Sequence, residues 1–257
     1  MRKFNFLFTL VLISLSSYVV SAQSVDARKI SQMAKEGKDL TYENTTISGV
    51  LDLTPYQEKK DDLPGKSWFG MNSNAIDHTI VGNITFVNCT FEDDVLAYYH
   101  DDRTEYTFNA DFEGDVIFKN CNFKKGAAFK YSNFDGIVDF SGSTIRDEAN
   151  FKYAEFNNES YFSKMDFSSE ANFKYAEFDE LVSFSGSIFD SEANFKYTEI
   201  DNGVDFSNAL FNGLLNLKYT ELNGPVNLKN FKVNSSMDTK YTTVNGQDFS
   251  TYLVNNR

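Results

Sequence analysis

The segment Ala149-Asn150-Phe151-Lys152-Tyr153-Ala154-Glu155-Phe156 returns unchanged at 171–178 and almost unchanged at 193–200, a step of twenty-two residues from Ala149 to Ala171 and again to Ala193. A chain that repeats at a short fixed period is one structural unit stacked on itself, so the period has to be read before any strand or helix is assigned. Weaker copies at 127–134 (AAFKYSNF), 215–222 (LNLKYTEL) and 237–244 (MDTKYTTV) carry the grid through at least six turns. Within it, large apolar residues alternate at spacings of six and five, from Phe112, Phe118, Phe123 and Phe129 through Phe173 to Val244. Two residues before each stands a usually smaller one, such as Ala110, Val116, Cys121, Ala127 or Ala149. Neither a 3.6-residue period nor long strict alternation gives this spacing, whereas a chain that turns a corner after each short strand does. Residues two apart on a strand point the same way, so the small and the large residue face inward and the polar one between them faces out. Four such strands, two spacings of six and two of five, make one square coil with phenylalanine stacked in its interior.

A unit of a small residue, a polar residue and a central Phe or Leu, as in Ala171-Asn172-Phe173 and Val204-Asp205-Phe206, resembles the pentapeptide-repeat family. The likeness covers roughly Ile80 to Val244 and is closest to the Phe-rich variety that counts eleven residues per pair of faces. It implies an all-β fold, a right-handed quadrilateral parallel β-helix. An extra residue in every second unit departs from the family's simplest form and bears on corner geometry.

Before the repeats, Arg2 and Lys3 precede a mostly apolar stretch from Phe4 to Val20, and Ser21-Ala22 leads into Gln23. This reads as a secretion signal over 1–22, cleaved between Ala22 and Gln23, with an uncleaved anchor as the alternative. Export to the periplasm or the extracellular space follows, with no membrane attachment after cleavage. Without residues 1–22 the chain loses two basic side chains, leaving 22 basic against 37 acidic and a net charge of −15. That balance argues against nucleic acid as a partner. Residues 23–53 read as a capping helix, Ser24 to Glu36 with Ser24 as N-cap and Gly37 as stop, followed by first strands around Ile47 and Leu53. Residues 54–79 read as a loop excursion, 80–244 as the β-helix, and 245–257 as a C-terminal cap or tail without a strong helix. That last segment is open to two readings, a homodimer contact through the C-terminal end or a self-contained cap.

A second interruption falls between Ala97 and Phe108, where Tyr98-Tyr99-His100-Asp101-Asp102-Arg103 has to bulge outward because unpaired charge is costly inside. With the repeat in register, outward positions stack as well: a lysine row (Lys130 to Lys240), a tyrosine row including Tyr153, Tyr175 and Tyr197, and a glutamate row (Glu155, Glu177, Glu199, Glu221). The tyrosine row can hold a glycan, or it can be a structural ladder whose lysines are neutralised by the glutamates. Tyr56, Trp68, Tyr98, Tyr99 and His100 in the interruptions are the other candidate binding residues.

Catalytic chemistry is not assembled anywhere. The two histidines, His78 and His100, lack metal-motif spacing, and the acids are scattered along every coil, so neither a metal, a cofactor nor an enzyme is expected. Cys89 and Cys121 each fill a small inward slot, and counting coils puts them on opposite faces, where they would not pair. The reading is therefore an exported, non-enzymatic structural or interaction module whose partner is an unknown protein or glycan. Two alternatives remain: an acidic rod that imitates B-DNA and binds gyrase, as the family resemblance suggests, and a β-helix acting on polysaccharide.

Overall fold

A computed structural model describes residues 24–64 and 74–255. The signal segment with Ala22 and Gln23, and Trp68, lie outside the described residues. In the coil that starts at Val116, the chain lays down Val116–Lys119, Asn122–Phe123, Ala127–Ala128 and Asn133–Phe134, here called faces 1 to 4 in chain order. Each strand pairs in parallel with its counterparts one coil before and after, as Val116 does with Ile84 and Val138. Faces 1 and 3 hold eight strands each, which fixes eight coils, a rod roughly 38 Å long at about 4.8 Å per coil. The molecule is a quadrilateral parallel β-helix.

The two-residue offset between small and large inward positions produces the core directly. Phe140, Phe162, Phe184 and Phe206 stack along face 1 at 5.2 to 5.6 Å between ring centroids, and Phe129, Phe151, Phe173 and Phe195 along face 3 at 5.1 to 5.4 Å. Across the rod the two rows meet edge to face, Phe162 against Phe173 at 79°. Offset stacks along the axis and T-shaped contacts across it are the arrangements that the ring quadrupole favours. Several polar small residues in the inward slots are satisfied by the backbone of the preceding coil, Ser143 Oγ donating to Phe118 O and Thr198 Oγ1 to Phe173 O, whereas the buried Ser132 hydroxyl has no such partner. At Ser143 and Thr198 the core thus carries hydroxyls without unpaired donors.

Two of the four corners need a residue with positive φ. Between faces 1 and 2 the chain uses Asn88, Asn120, Gly142, Lys164, Gly186, Asn208 and Asn230, mostly the residue types that reach this region at least strain. Between faces 3 and 4 it uses tyrosine six times, with φ between 59° and 64° at Tyr131, Tyr153, Tyr175, Tyr197, Tyr219 and Tyr241.

The N-terminal end is closed by helix α1, Ala27–Lys35, which buries Ala27, Ile30, Ser31 and Ala34. Its N-cap is Asp26, whose carboxylate accepts from Arg28 N, because Ser24 is drawn into a short strand, Ser24–Asp26, paired with Thr46–Ser48 on face 2. Gly37, at φ 73°, ends the helix as expected: its N–H reaches Ala34 O and Lys38 N reaches Met33 O, a Schellman closure. An unforeseen first strand, Leu40–Glu43, opens face 1. The C-terminal end does form a helix, contrary to the sequence expectation. Asp248 accepts from Ser250 N and Thr251 N at the start of Phe249–Asn255, Phe249 is buried, and Tyr252 Oη donates to Val226 O. An Asp N-cap and one docked aromatic suffice for a short helix that has weak propensity of its own.

The interruptions follow a simple rule. At the start of face 1, the hydrogen-bonded neighbours Ile137 and Asp115 lie 22 residues apart, as throughout the regular coils, but Asp115 and Asn83 lie 32 apart and Asn83 and Asp39 lie 44 apart. One whole extra repeat and just under half a repeat are therefore inserted in the first two coils, and both insertions leave the rod between faces 3 and 4. The first contains the one-turn helix α2, Tyr56–Lys59, and rejoins at the strand Ala75–Ile80, inside the span expected to be loop. The second is a β-hairpin, Tyr98–Asp101 antiparallel to Tyr106–Phe112. The same count corrects the cysteines. The hairpin insertion adds no face, so Cys89 and Cys121, one residue before the paired strands Thr90–Phe91 and Asn122–Phe123, lie on the same face in neighbouring coils.

Since Phe173 sits mid-rod with no exposure, Phe173→Ala should lower unfolding free energy by about 3–5 kcal/mol in a denaturant melt. Phe173→Asp should yield no folded protein; a cooperative melt from the aspartate variant contradicts an inward Phe173.

Candidate binding edge

The corner between faces 3 and 4 collects most of the aromatic residues, among those described, that the rod does not bury. From the C-terminal end, Tyr241, Tyr219, Tyr197, Tyr175, Tyr153 and Tyr131 stack with centroids 4.7 to 5.0 Å apart, the inner rings within 9° of parallel. Each preceding lysine folds over its tyrosine, Lys152, Lys174 and Lys196 Nζ lying 4.9 Å from the ring centroids. At the upper end the ladder meets the hairpin. Tyr131 contacts Tyr98 at 5.9 Å, and Lys130 Nζ donates to Tyr98 Oη while also lying over its ring.

The described part of the first insertion, up to Pro64, packs on the hairpin as one knob. The Tyr56 ring lies 4.5 Å from Tyr99 and 5.1 Å from the buried Phe108. Arg103 Nη2 reaches Tyr56 Oη at 3.4 Å, and Tyr106 Oη donates to Pro64 O. Asp101, the one charged residue the hairpin buries, is 4% exposed and accepts from Arg103 N and Nε, which holds its carboxyl below the usual range. His100 lies at the edge of the knob with Nε2 3.6 Å from Asp102 and Nδ1 3.4 Å from Thr107 Oγ1. A cleft of about 990 Å³ opens beside the knob, against α1, with Tyr56 and Tyr99 in its wall and the Lys35–Glu58 ion pair at 3.1 Å.

The structure therefore brings Tyr56, Tyr98, Tyr99 and His100 together and aligns Tyr153, Tyr175 and Tyr197 with them along one edge. Sequence reasoning set Lys130 and Tyr131 in the outward rows and Arg103 in the bulge, but it missed Tyr106 and the contacts by which these residues join knob to ladder. The signal was present in the two insertion lengths, which return the chain to the same corner. The glutamate row does not neutralise the lysine row: among the described residues no ion pair links them, and the lysines rest on the rings instead. Nor do the ladder rings offer flat faces to a sugar. Near-parallel stacking covers the faces of the inner rings and leaves ring edges, phenol hydroxyls and ammonium groups outward. No cluster of three or more potential metal ligands exists among the described residues.

Magnitudes bear on what the tyrosines are for. A left-handed residue costs about 1–2 kcal/mol, while one aromatic stack returns about 0.5–1.5 kcal/mol and an exposed cation–π contact about 0.5–1 kcal/mol. The ladder roughly offsets its own strain and gains little over the Asn and Gly that serve the other corner. Tyr175→Asn should therefore shift unfolding free energy by no more than about 1 kcal/mol; a loss above roughly 2 kcal/mol assigns the ladder to stability.

On face 4 the glutamates stack in register, Glu177 with Glu199 and Glu199 with Glu221. Burial, then the charges of Asp201, Glu221 and Glu177, raise the Glu199 carboxyl above its ordinary 4.5. A group that holds its proton more tightly when folded adds stability as pH falls and loses it as pH rises through the raised value. Asp101, with its lowered carboxyl, acts in the opposite sense below its ordinary 3.8. The melting temperature should rise on moving from neutral to mildly acidic pH and fall at stronger acid, and Glu199→Gln should raise it at neutral pH and flatten the first limb.

Two comparisons with known proteins bear on identity. No curated protein sequence matches the chain. A model described as "Pentapeptide repeats (9 copies)" matches in four overlapping stretches, 108–155, 129–177, 151–199 and 173–221, which together take in the most regular coils. Joined to the constant register and the four-faced phenylalanine core, that match shows residues 108–221 to be pentapeptide repeats of that family.

Proposed function

We propose that the protein is an exported, non-enzymatic interaction module that grips an extracellular polymer along the edge between faces 3 and 4. One observation carries this reading: both departures from a regular coil leave at the corner that bears the tyrosine–lysine ladder, and their described parts fold into a knob that continues it. Insertions at random corners would scatter over the rod. Loops on a rigid scaffold are where binding residues concentrate.

The chemistry of the edge supports a glycan, and an acidic one best. Six ammonium groups recur at the coil spacing beside phenol hydroxyls, and no carboxylate of the described residues pairs with them, although the chain as a whole is strongly acidic. Hydrogen-bond donors and positive charge in a line suit a repeating chain of hydroxyls and carboxylates or sulfates. Export is supported by Arg2, Lys3 and the apolar run from Phe4 to Val20. The gyrase-binding alternative draws on the net charge of −13 but needs a cytoplasmic protein with an uninterrupted acidic surface, and the lysine edge breaks that surface.

Cell fractionation with an intact mass tests the address first: a chain beginning at Gln23 outside the cytoplasm is expected, and an unprocessed cytoplasmic chain returns the gyrase reading. Glycan-array binding then tests the edge. Lys152→Gln with Lys174→Gln should weaken binding to acidic glycans by roughly tenfold and reduce its salt dependence, and Tyr99→Ala should weaken it without changing the salt dependence. Binding that survives both sets of changes removes this edge from consideration.

A further inference from the structure

The only two cysteines of the chain, separated in sequence by the coil that carries the hairpin, stand directly above one another in the rod. They precede in-register partners, Thr90 with Asn122 and Phe91 with Phe123, and Asn122 N donates to Cys89 O at 2.9 Å. Neighbouring parallel strands run about 4.8 Å apart with their side chains pointing the same way, within the Cα separation that a disulfide spans. Both side chains point into the core on face 2, in the row that continues as Ser143, Met165, Ser187 and Ala209.

We infer that Cys89 and Cys121 form an intramolecular disulfide that staples the second coil to the third. The structure holds both as buried thiols, the dithiol form of that pair. A competing role is to replace serine. Cys121 Sγ lies 3.5 Å from Phe86 O and Cys89 Sγ 3.4 Å from Tyr42 O, the equivalents of the carbonyls that the Ser143 and Ser187 hydroxyls reach in later coils. A thiol is a weak donor, however, and serine fills this slot elsewhere in the same row with a stronger bond. The position of the pair is also particular. It closes the stretch of chain that contains the hairpin Tyr98–Phe112, so a bond there fixes the base of the knob.

Before the two coils pack, one thiol, here Cys89, loses its proton, and its thiolate attacks one sulfur of a disulfide oxidant and expels a thiolate, giving a mixed disulfide. Cys121 loses its proton and attacks the Cys89 sulfur, and the second half of the oxidant leaves as a thiol. Two protons leave the protein and two electrons pass to the oxidant disulfide. Because neither cysteine is more than 2% exposed, the exchange takes place during folding, before the third coil covers the second.

The test is to refold the purified chain in a redox buffer of reduced and oxidised glutathione, isolate the folded monomer by size exclusion, alkylate it under denaturant and measure its intact mass. The expected result is an unalkylated chain lighter than the reduced one by two hydrogen atoms, with a melting temperature at least about 5 °C above that of the chain refolded under a reductant. Cys89→Ser and Cys121→Ser, which place at each slot the residue found at Ser143, should fold and should lose that difference. Folded monomer that takes up two alkyl groups, or that carries glutathione on one cysteine, overturns the inference. The outcome does not depend on where the protein resides or on what the edge binds.

Discussion

Closure of every regular coil in 22 residues is the condition from which the rest follows. Only with that count does each residue fall on its own equivalent one coil later, so that Phe151 stacks on Phe173 at 5.1 Å and Phe151 N reaches Asn172 O at 2.8 Å. A slip of one residue would turn each inward Phe outward. Backbone pairing and ring stacking are thus two results of one register. Neither needs long-range specification, since each coil is templated by its neighbour.

This explains why the fold could be read and the surface only in part. The unit Ala-Asn-Phe-Lys-Tyr names the inward and outward positions at every coil, and four faces follow from alternating spacings of five and six. Insertions are different, because they obey no period and their direction is set by where the chain rejoins the rod. The expectation that Tyr98 to Arg103 bulges outward needed only the cost of burying charge. That it pairs with Tyr106–Phe112 as a hairpin, and packs Tyr99 on Tyr56 from the coil before, depends on contacts between segments remote in sequence. Treating the hairpin insertion as half a coil also misplaced Cys121. The C-terminal helix was missed because its stability comes from docking Phe249 and capping by Asp248, neither of which makes a periodic signal.

Two corners with the same backbone requirement are filled by different residue types, and this asymmetry separates scaffold from surface. Where Asn and Gly serve, the corner is only a corner. Where tyrosine serves six times at similar positive φ, the strain is balanced by stacking and by lysine, so stability is nearly indifferent to the choice. A costly conformation retained without a net gain is a reason to look outward for its use. The outward groups of that ladder are hydroxyls and ammoniums at the coil spacing.

The insertions sharpen that argument. A β-helix transmits no large shape change along its axis, because its coils are locked by the same stacks that form them. Any specificity beyond a repeating pattern must therefore come from residues that break the repeat, and they have to lie beside the repeating surface if both are to touch one partner. The knob built on Tyr56, Tyr99 and Arg103 meets that condition through Tyr98, Lys130 and Tyr131. A periodic edge alone lets a polymer slide from coil to coil; a knob at one end gives it a single place to stop.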